Sequence, residues 1–151
     1  MPEVRCGFKD SPDGTFKGSD FLVSIGPSLA VDIGFDSGFK AGMVPKPNAS
    51  GVAALVDTGA TECCIDAKLA ADLNLPIVDR RMISGSNGAH MVNVHLAQVH
   101  MPSLGFTMFG TFASVDLTGG GQPHQALIGR SFLKYFTMIY SGPTGEVTLF
   151  S

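Results

Sequence analysis

The stretch Ala-Ala-Leu-Val-Asp-Thr-Gly-Ala-Thr, residues 53–61, governs how the whole chain is interpreted. Its first four residues are apolar, which is typical of a strand that is buried on both faces. Such a strand would place Asp57 at the start of a Thr-Gly turn and hold its carboxylate at a fixed position. A second apolar run, residues 126–128, leads into Gly129, which lies 72 positions after Asp57 (129 − 57). These two segments are the candidates for a functional site.

The composition indicates one folded domain of strands and turns. The chain has 151 residues, of which 44% are hydrophobic and 15% charged, and this balance argues against disorder. Glycine occurs 19 times and proline 9 times, with little helical periodicity. The net charge of −3 provides no basic surface for a nucleic acid, so we expect no nucleic-acid partner. We therefore predict a mostly β fold.

Cysteine usage and hydropathy predict a cytoplasmic location without a membrane partner. Three cysteines do not make a disulfide framework. The first residues contain no apolar run of the kind that a secretory signal needs. Residues 82–115 lack charged side chains, but they include glycines, asparagines and three histidines, which disfavours a membrane span.

The polar, glycine-containing residues 1–20 are predicted to form a loose arm that precedes a domain at residues 21–151. Residues 21–25 and 30–35 read as strands joined by a turn. Asp66 is a candidate N-cap for a helix over residues 66–75, and one or two helical turns are expected at residues 129–135. Further strands are predicted at residues 52–56, 106–117, 125–128, 136–140 and 146–150.

Residues 82–100 alternate in polarity and predict an exposed hairpin with glycines at its tip. Asn87 and Gly88 suit the two central positions of a tight turn, because both positions require a positive φ.

The order of these elements resembles that of the retropepsin-like aspartic peptidases, a single-domain family that includes the retroviral proteases. The shared order is a strand, an Asp-Thr-Gly-Ala loop, a glycine-tipped hairpin, and an apolar strand that ends in Gly129 and Arg130. The resemblance covers about residues 21–150. It implies a closed β-barrel of the acid-protease fold, one lobe per chain, with one or two short helices.

The resemblance assigns roles to four residues around the loop. Asp57 resembles the catalytic aspartate. Thr58 resembles the threonine whose hydroxyl binds across a dimer, and the carbonyl of Gly59 resembles the one that accepts a hydrogen bond from substrate. Arg130 resembles an arginine that ties the loops together near the dimer interface. Viral members usually carry an acid at the position of Thr61, so here Glu62 or Asp66 would have to pair with the arginine.

The hairpin resembles the flap that closes over a bound peptide, and residues 126–129 resemble the strand that crosses under the active loop. Residue type then suggests that Cys64, Ile83 and Ile128 form apolar walls of the substrate pocket. The predicted substrate-binding set comprises Gly59, Cys64, Ile83, Gly85, Ser86, Asn87 and Ile128.

Peptide hydrolysis needs a base for water and an acid for the scissile carbonyl oxygen. Two carboxylates about 3 Å apart supply both roles, because one of them stays protonated. The chain has one suitable motif, so the resemblance implies a homodimer with one Asp57 from each subunit. Asp36, in Asp-Ser-Gly, lies only 21 positions before Asp57 (57 − 36) and is interpreted as a turn.

Ala60 stands where pepsin-like enzymes usually carry Ser or Thr, whose hydroxyl donates to the aspartate. A donor to the charged form lowers a carboxyl pKa, so its absence predicts a pH optimum of roughly 4 to 6, less acidic than that of pepsin.

We expect no metal and no organic cofactor. His90 and His100 share a strand face but are about 33 Å apart on a straight strand, too far for a shared ion. The predicted function is an aspartic endopeptidase that acts on a peptide or protein substrate. The alternative is a retropepsin-like module that dimerises or binds peptides without turnover, because a fold does not guarantee an activity.

Overall fold

The computed structural model describes residues 2–85 and 88–151. In this part of the chain ten strands, three short α-helices and one 3-10 turn follow one another. The strands are β1 Glu3–Arg5, β2 Ser28–Gly34, β3 Ala49–Val56, β4 Cys64–Asp66, β5 Ile77–Gly85, β6 Gly88–Met101, β7 Phe106–Val115, β8 Ala126–Ile128, β9 Thr137–Ser141 and β10 Glu146–Phe150. The helices are α1 Gly18–Ile25, α2 Ala67–Asp72 and α3 Arg130–Leu133, and the 3-10 turn is Pro102–Leu104.

Six strands form a closed barrel, which confirms the predicted fold class. They follow the order β2-β3-β8-β4-β7-β6, and β6 returns to pair with β2 through Asp32 opposite His100. β5 pairs with β6 beyond the barrel and extends it as a hairpin. Because the ring is closed, none of the six barrel strands is left as a free edge along its whole length.

The barrel interior explains why the prediction for residues 52–56 was half wrong. Val52, Ala54 and Val56 are buried, whereas Ala53 is exposed and Leu55 is half-buried. A barrel strand points alternate side chains inward and outward, so only one face of β3 contributes to the core. The sequence did not show this alternation, because the outward residues Ala53 and Leu55 are also apolar.

A second, three-stranded sheet contradicts the description of residues 1–20 as loose. β1 pairs with β10, which pairs with β9, and Glu3 lies opposite Phe150. Cys6 is buried, and its amide donates to the carbonyl of Val147 at 2.8 Å. A strand of three residues is too short to give a periodic pattern. The prediction for this segment therefore rested on composition alone, and it was wrong. The domain boundary at residue 20 stays a prediction.

Residues 21–25 form a helix, not the predicted strand. They belong to α1, which buries Leu22 and leaves Val23 86% exposed. The helix ends where Gly26, at a φ of 85°, donates its amide to the carbonyl of Leu22. A short apolar run fits either a strand or a helix, and here packing of Phe21 against Phe8 accompanies the helix. The fold therefore has three short α-helices among the described residues, where one or two were predicted.

The remaining elements follow the predictions closely. Asp66 caps α2, although this helix ends at Asp72 rather than at residue 75. α3 supplies the predicted helical turns, and β9 and β10 form the predicted final hairpin. No helix in residues 2–85 and 88–151 has the length and apolar character needed to cross a membrane.

The hairpin of β5 and β6 has a different turn register from the predicted one. Gly88 pairs with Gly85 in the ladder, at a φ of 90°, so it is not a central turn residue. Ser86 and Asn87 lie outside the described residues. Most residues of β5 are exposed, so the hairpin projects from the barrel.

Candidate active site

Asp57 directly follows β3 and is held by its own loop. Its amide donates to the carbonyl of Ile128 at 2.9 Å. One carboxylate oxygen, Oδ1, accepts the amide of Gly59 at 2.8 Å, and the amide of Ala60 donates to the Asp57 carbonyl at 3.2 Å. The side chain is half-buried. A partly accessible carboxylate is thus oriented by a turn of four residues, 57–60, at the end of a barrel strand.

β8 lies beside this loop and supports it. It pairs in parallel with β3, with Val56 opposite Ile128, and in antiparallel with β4. At Gly129 a Cβ atom would come within 2.8 Å of the Ala60 carbonyl oxygen and 2.5 Å of the Glu62 carbonyl oxygen. Only glycine permits this close approach, so Gly129 allows the two loops to meet.

Arg130, the first residue of α3, binds the Asp57 loop through both its side chain and its backbone. Nη1 donates to the Thr58 carbonyl at 2.7 Å, and Nη2 donates to Thr61 Oγ1 at 3.1 Å. The Arg130 amide donates to the Ala60 carbonyl at 2.9 Å. The loop that carries Asp57 is therefore fixed at Thr58, Ala60 and Thr61 by a single residue of α3.

The expectation that Asp66 pairs with Arg130 is wrong. Asp66 is 1% exposed, and its carboxylate accepts four hydrogen bonds, from the amides of Leu69, Leu117 and Thr118 and from the hydroxyl of Thr118. Burial raises the pKa of Asp66, but these hydrogen bonds outweigh it, and the pKa is lowered below its usual value. Within the described residues Glu62 forms no ion pair with Arg130 either.

The hydroxyl of Thr61 accepts the hydrogen bond from Arg130 that Glu62 or Asp66 was expected to accept. Thr61 was named in the sequence only as a departure from the viral pattern, and residue type gave no sign that its hydroxyl would accept from the guanidinium. The signal that could have found it is its place directly after the Asp-Thr-Gly-Ala loop.

The two adjacent cysteines differ in environment. Cys63 is buried, and its Sγ accepts the amide of Gly129 at 3.3 Å. Cys64 is half-buried, and burial raises the pKa of its thiol to about 11; Cys63 raises it further, the Arg81 cation lowers it, and Glu62 and Asp57 raise it. The charges of Asp57 and Arg81 thus both affect the pKa of the Cys64 thiol.

The predicted pocket residues separate into three groups. Ile128 is 1% exposed and belongs to the core, so its prediction as a pocket wall is wrong: the inward face of β8 points into the barrel. Ile83 and Cys64 are half-buried, and Gly59 and Gly85 are exposed, so all four are accessible to some degree. Ser86 and Asn87 fall outside the described residues.

Two of the three histidines of β6 are held by hydrogen bonds. His95 is buried and bonds the Leu75 carbonyl at 3.1 Å and Ser114 Oγ at 2.9 Å. His100 bonds Thr107 Oγ1 at 2.8 Å, and His90 is exposed. No group of three metal-ligating side chains occurs in the part of the chain that the structure describes.

Asp36 lies in a turn, as predicted, and its carboxylate is occupied. It accepts the amides of Gly38 and Lys46, each at 3.0 Å. The Lys46 amide and then the Gly38 amide hold the pKa of this carboxyl below its usual value. Asp36 therefore has a local structural role and does not join Asp57.

A comparison with family models matches residues 46–135, more than half of the chain, to the gag-polyprotein putative aspartyl protease family. The chain belongs to this family, which confirms the retroviral-type resemblance. The matched residues include both the Asp57 loop and α3.

Among solved structures, the chain is similar to that reported as the solution structure of simian foamy virus (mac) protease. The two are 13% identical, with a TM-score of 0.45, over 72% of this chain and 92% of that chain. A comparison with curated proteins returned no match.

Proposed function

We propose that this chain is an aspartic endopeptidase that hydrolyses peptide bonds with a water held between two Asp57 carboxylates, one from each subunit of a homodimer. The observation that carries the proposal is the Asp57 loop itself. Its carboxylate is oriented by the Gly59 amide and stays accessible, while Gly129 and Arg130 fix the loop from β8 and α3. Membership of an aspartyl protease family agrees with this assignment.

The chemistry requires a second carboxylate, and two other aspartates among the described residues are already engaged elsewhere. Asp66 is buried under four hydrogen bonds, and Asp36 is bound to two backbone amides. A two-fold axis at the loop would bring a second Asp57 to the first. The pair would share one proton and titrate as a unit, so that one carboxylate acts as base while the other acts as acid.

Thr58 supports a partner at this loop. Its side chain is exposed, and its hydroxyl forms no hydrogen bond within residues 2–85 and 88–151. Its carbonyl is fixed by Arg130, so the residue is held in place while the hydroxyl remains available. A hydroxyl in this state can bind the same loop of a second copy.

The substrate in this proposal is an extended peptide that adds as a strand between the Asp57 loop and the hairpin of β5 and β6, which acts as the flap. The exposed Gly59 and the half-buried Ile83 and Cys64 are the candidate contacts. No cofactor takes part, because two carboxylates and water suffice for the hydrolysis. The cytoplasmic location stays a prediction.

The test compares the purified protein with its Asp57→Asn variant on a peptide library, from about pH 3 to about pH 8. We expect cleavage by the wild type and at least a roughly 100-fold loss in the variant, because the pair loses its base. Asp36→Asn is the matched control, since it alters another aspartate that precedes a small residue and a glycine. This control is expected to keep its activity.

Two other outcomes would reject the proposal. The first is a wild type that is folded and dimeric, cleaves no peptide, and binds peptide as well as its Asp57→Ala variant does. This result would indicate a binding module. Equal cleavage by the wild type and Asp57→Asn would point to a contaminant or to another active site.

A further inference from the structure

The hairpin carries two consecutive arginines that point to opposite faces. Side chains alternate along a strand, so Arg81 and Ile83 share one face of β5, and Arg80 and Met82 share the other. Ile83 is half-buried, whereas Met82 is 59% exposed. The face of Arg81 and Ile83 is therefore the inner face, turned toward the body of the protein.

Arg81 lies near the candidate active site. Its cation opposes the rise in the pKa of the Cys64 thiol that burial causes, and the Asp57 carboxylate acts on the same thiol in the other direction. Cys64 begins β4, which pairs with β8 beneath the Asp57 loop. The cation of Arg81 and the carboxylate of Asp57 thus both act on one half-buried side chain, that of Cys64.

The positive charge of Arg81 has no partner among the described residues. The ion pairs found there are Lys17 with Asp10 and Lys68 with Asp72. The neighbouring Arg80 lines a groove of about 300 Å³ together with Asp116 and His90. The other cation at the site, Arg130, already donates to the Asp57 loop. Arg81 is therefore the cation on the inner face that is available to a ligand.

We propose that Arg81 is a specificity residue that selects peptides with an acidic side chain at a position a few residues away from the cleaved bond. This inference rests on the proposed function and names the substrate class of that site. A carboxylate placed against Arg81 would form a charge-assisted contact that a neutral or basic side chain cannot make. A basic side chain at the same position would meet like charge and bind less well.

The spacing on the hairpin sets the position of the acid. Arg81 is two residues farther from the hairpin tip than Ile83, or about 7 Å along the strand. An extended peptide has nearly the same rise per residue, so the acid belongs about two positions beyond the residue that contacts Ile83. Apolar side chains near the cleaved bond and an acid farther out make up the predicted pattern.

The experiment uses sets of peptides that differ only by Glu, Gln or Lys at one position, tested at each position flanking the cleaved bond. We expect Glu to exceed Lys by about 3- to 10-fold in kcat/KM at one outer position, a modest ratio because the contact is partly exposed. Arg81→Gln should abolish this ratio, and Arg81→Glu should invert it. Arg80→Gln is the matched control on the outer face and should leave the ratio unchanged.

Binding of the same peptides to Asp57→Asn, followed by fluorescence anisotropy, separates this inference from the proposed function. A Glu preference in binding that Arg81→Gln removes supports the inference even if the wild type cleaves nothing. A preference that survives Arg81→Gln, a preference that Arg80→Gln removes, equal binding of the three peptides, or no binding of any of them would overturn it.

Discussion

Ala60 places a methyl group beside the carboxylate loop, at a position where a hydroxyl could donate to Asp57. Its backbone is fully used, since the amide donates to the Asp57 carbonyl and the carbonyl accepts from Arg130. The Asp57 carboxylate accepts one hydrogen bond within the described residues, from the Gly59 amide. A further donor to the charged form would favour ionisation.

We therefore predict that Ala60→Ser shifts the acidic limb of the activity profile to lower pH, by about 0.5 to 1 unit. The measurement is kcat/KM against pH for the wild type and the variant on one peptide. Ala53→Ser, which adds a hydroxyl to an exposed residue of β3, is the control and should leave the profile in place. An unshifted profile in Ala60→Ser would show that no hydroxyl at this position reaches the carboxylate.

Individual residues of the candidate site were predictable to different degrees. The Asp57 loop and Gly129 could be found because backbone sterics demand particular residue types there, and glycine at a close approach is one of them. The bond between Arg130 and Thr61 spans 69 positions and depends on side-chain geometry, which no local pattern encodes. The same limit explains why Asp66 was wrongly considered a partner of Arg130.

At the scale of elements, Asp66 joins two of them. Its carboxylate caps α2 through the Leu69 amide and accepts the amides of Leu117 and Thr118, just after β7. The pKa of Asp66 is lowered in the fold, since the hydrogen bonds outweigh burial. In the unfolded chain it returns to about 3.9. The stabilisation is therefore fully present above about pH 4 and is lost as the pH falls through the lower folded value.

We predict that Asp66→Asn lowers the free energy of unfolding by about 2 kcal/mol at pH 7, because an amide nitrogen would face backbone donors in a buried site. Urea denaturation from pH 7 downward should give a constant difference to about pH 4 and a smaller one below it. Asp72→Asn, at the exposed end of the same helix, is the control and should cost less than about 0.5 kcal/mol. A difference that does not depend on pH would contradict the role of the carboxylate charge.

Elements were predicted well where length and periodicity were sufficient and poorly where packing decided. The hairpin of β9 and β10 has glycines at its turn and apolar residues on both arms, and the sequence predicted it. α1 was missed because residues 21–25, four of them apolar, fit both a helix and a strand. β1 was missed because its three residues become a strand only when β10 pairs with them.

For the whole molecule, the proposed two-chain site makes a prediction about mixed subunits. Wild-type protein is mixed with a threefold excess of Asp57→Asn and allowed to exchange subunits before the assay. If both carboxylates are required, a wild-type subunit finds a wild-type partner in about one case in four, so activity should fall to about a quarter. The same excess of Asp36→Asn serves as the control and should not lower activity. Undiminished activity in the first mixture would mean that one Asp57 suffices.

The pairing of β1 with β10 also has a consequence for how the protein is made. Arg5 lies opposite Thr148, 143 positions later (148 − 5). At a synthesis rate of roughly 5 to 20 residues per second, the ribosome needs about 7 to 30 s to produce the partner strand. During that interval β1 has no strand to pair with, and Cys6, which is buried in the finished fold, remains open to solvent and oxidants. Completion of the terminal sheet is therefore a late event that follows translation of β10.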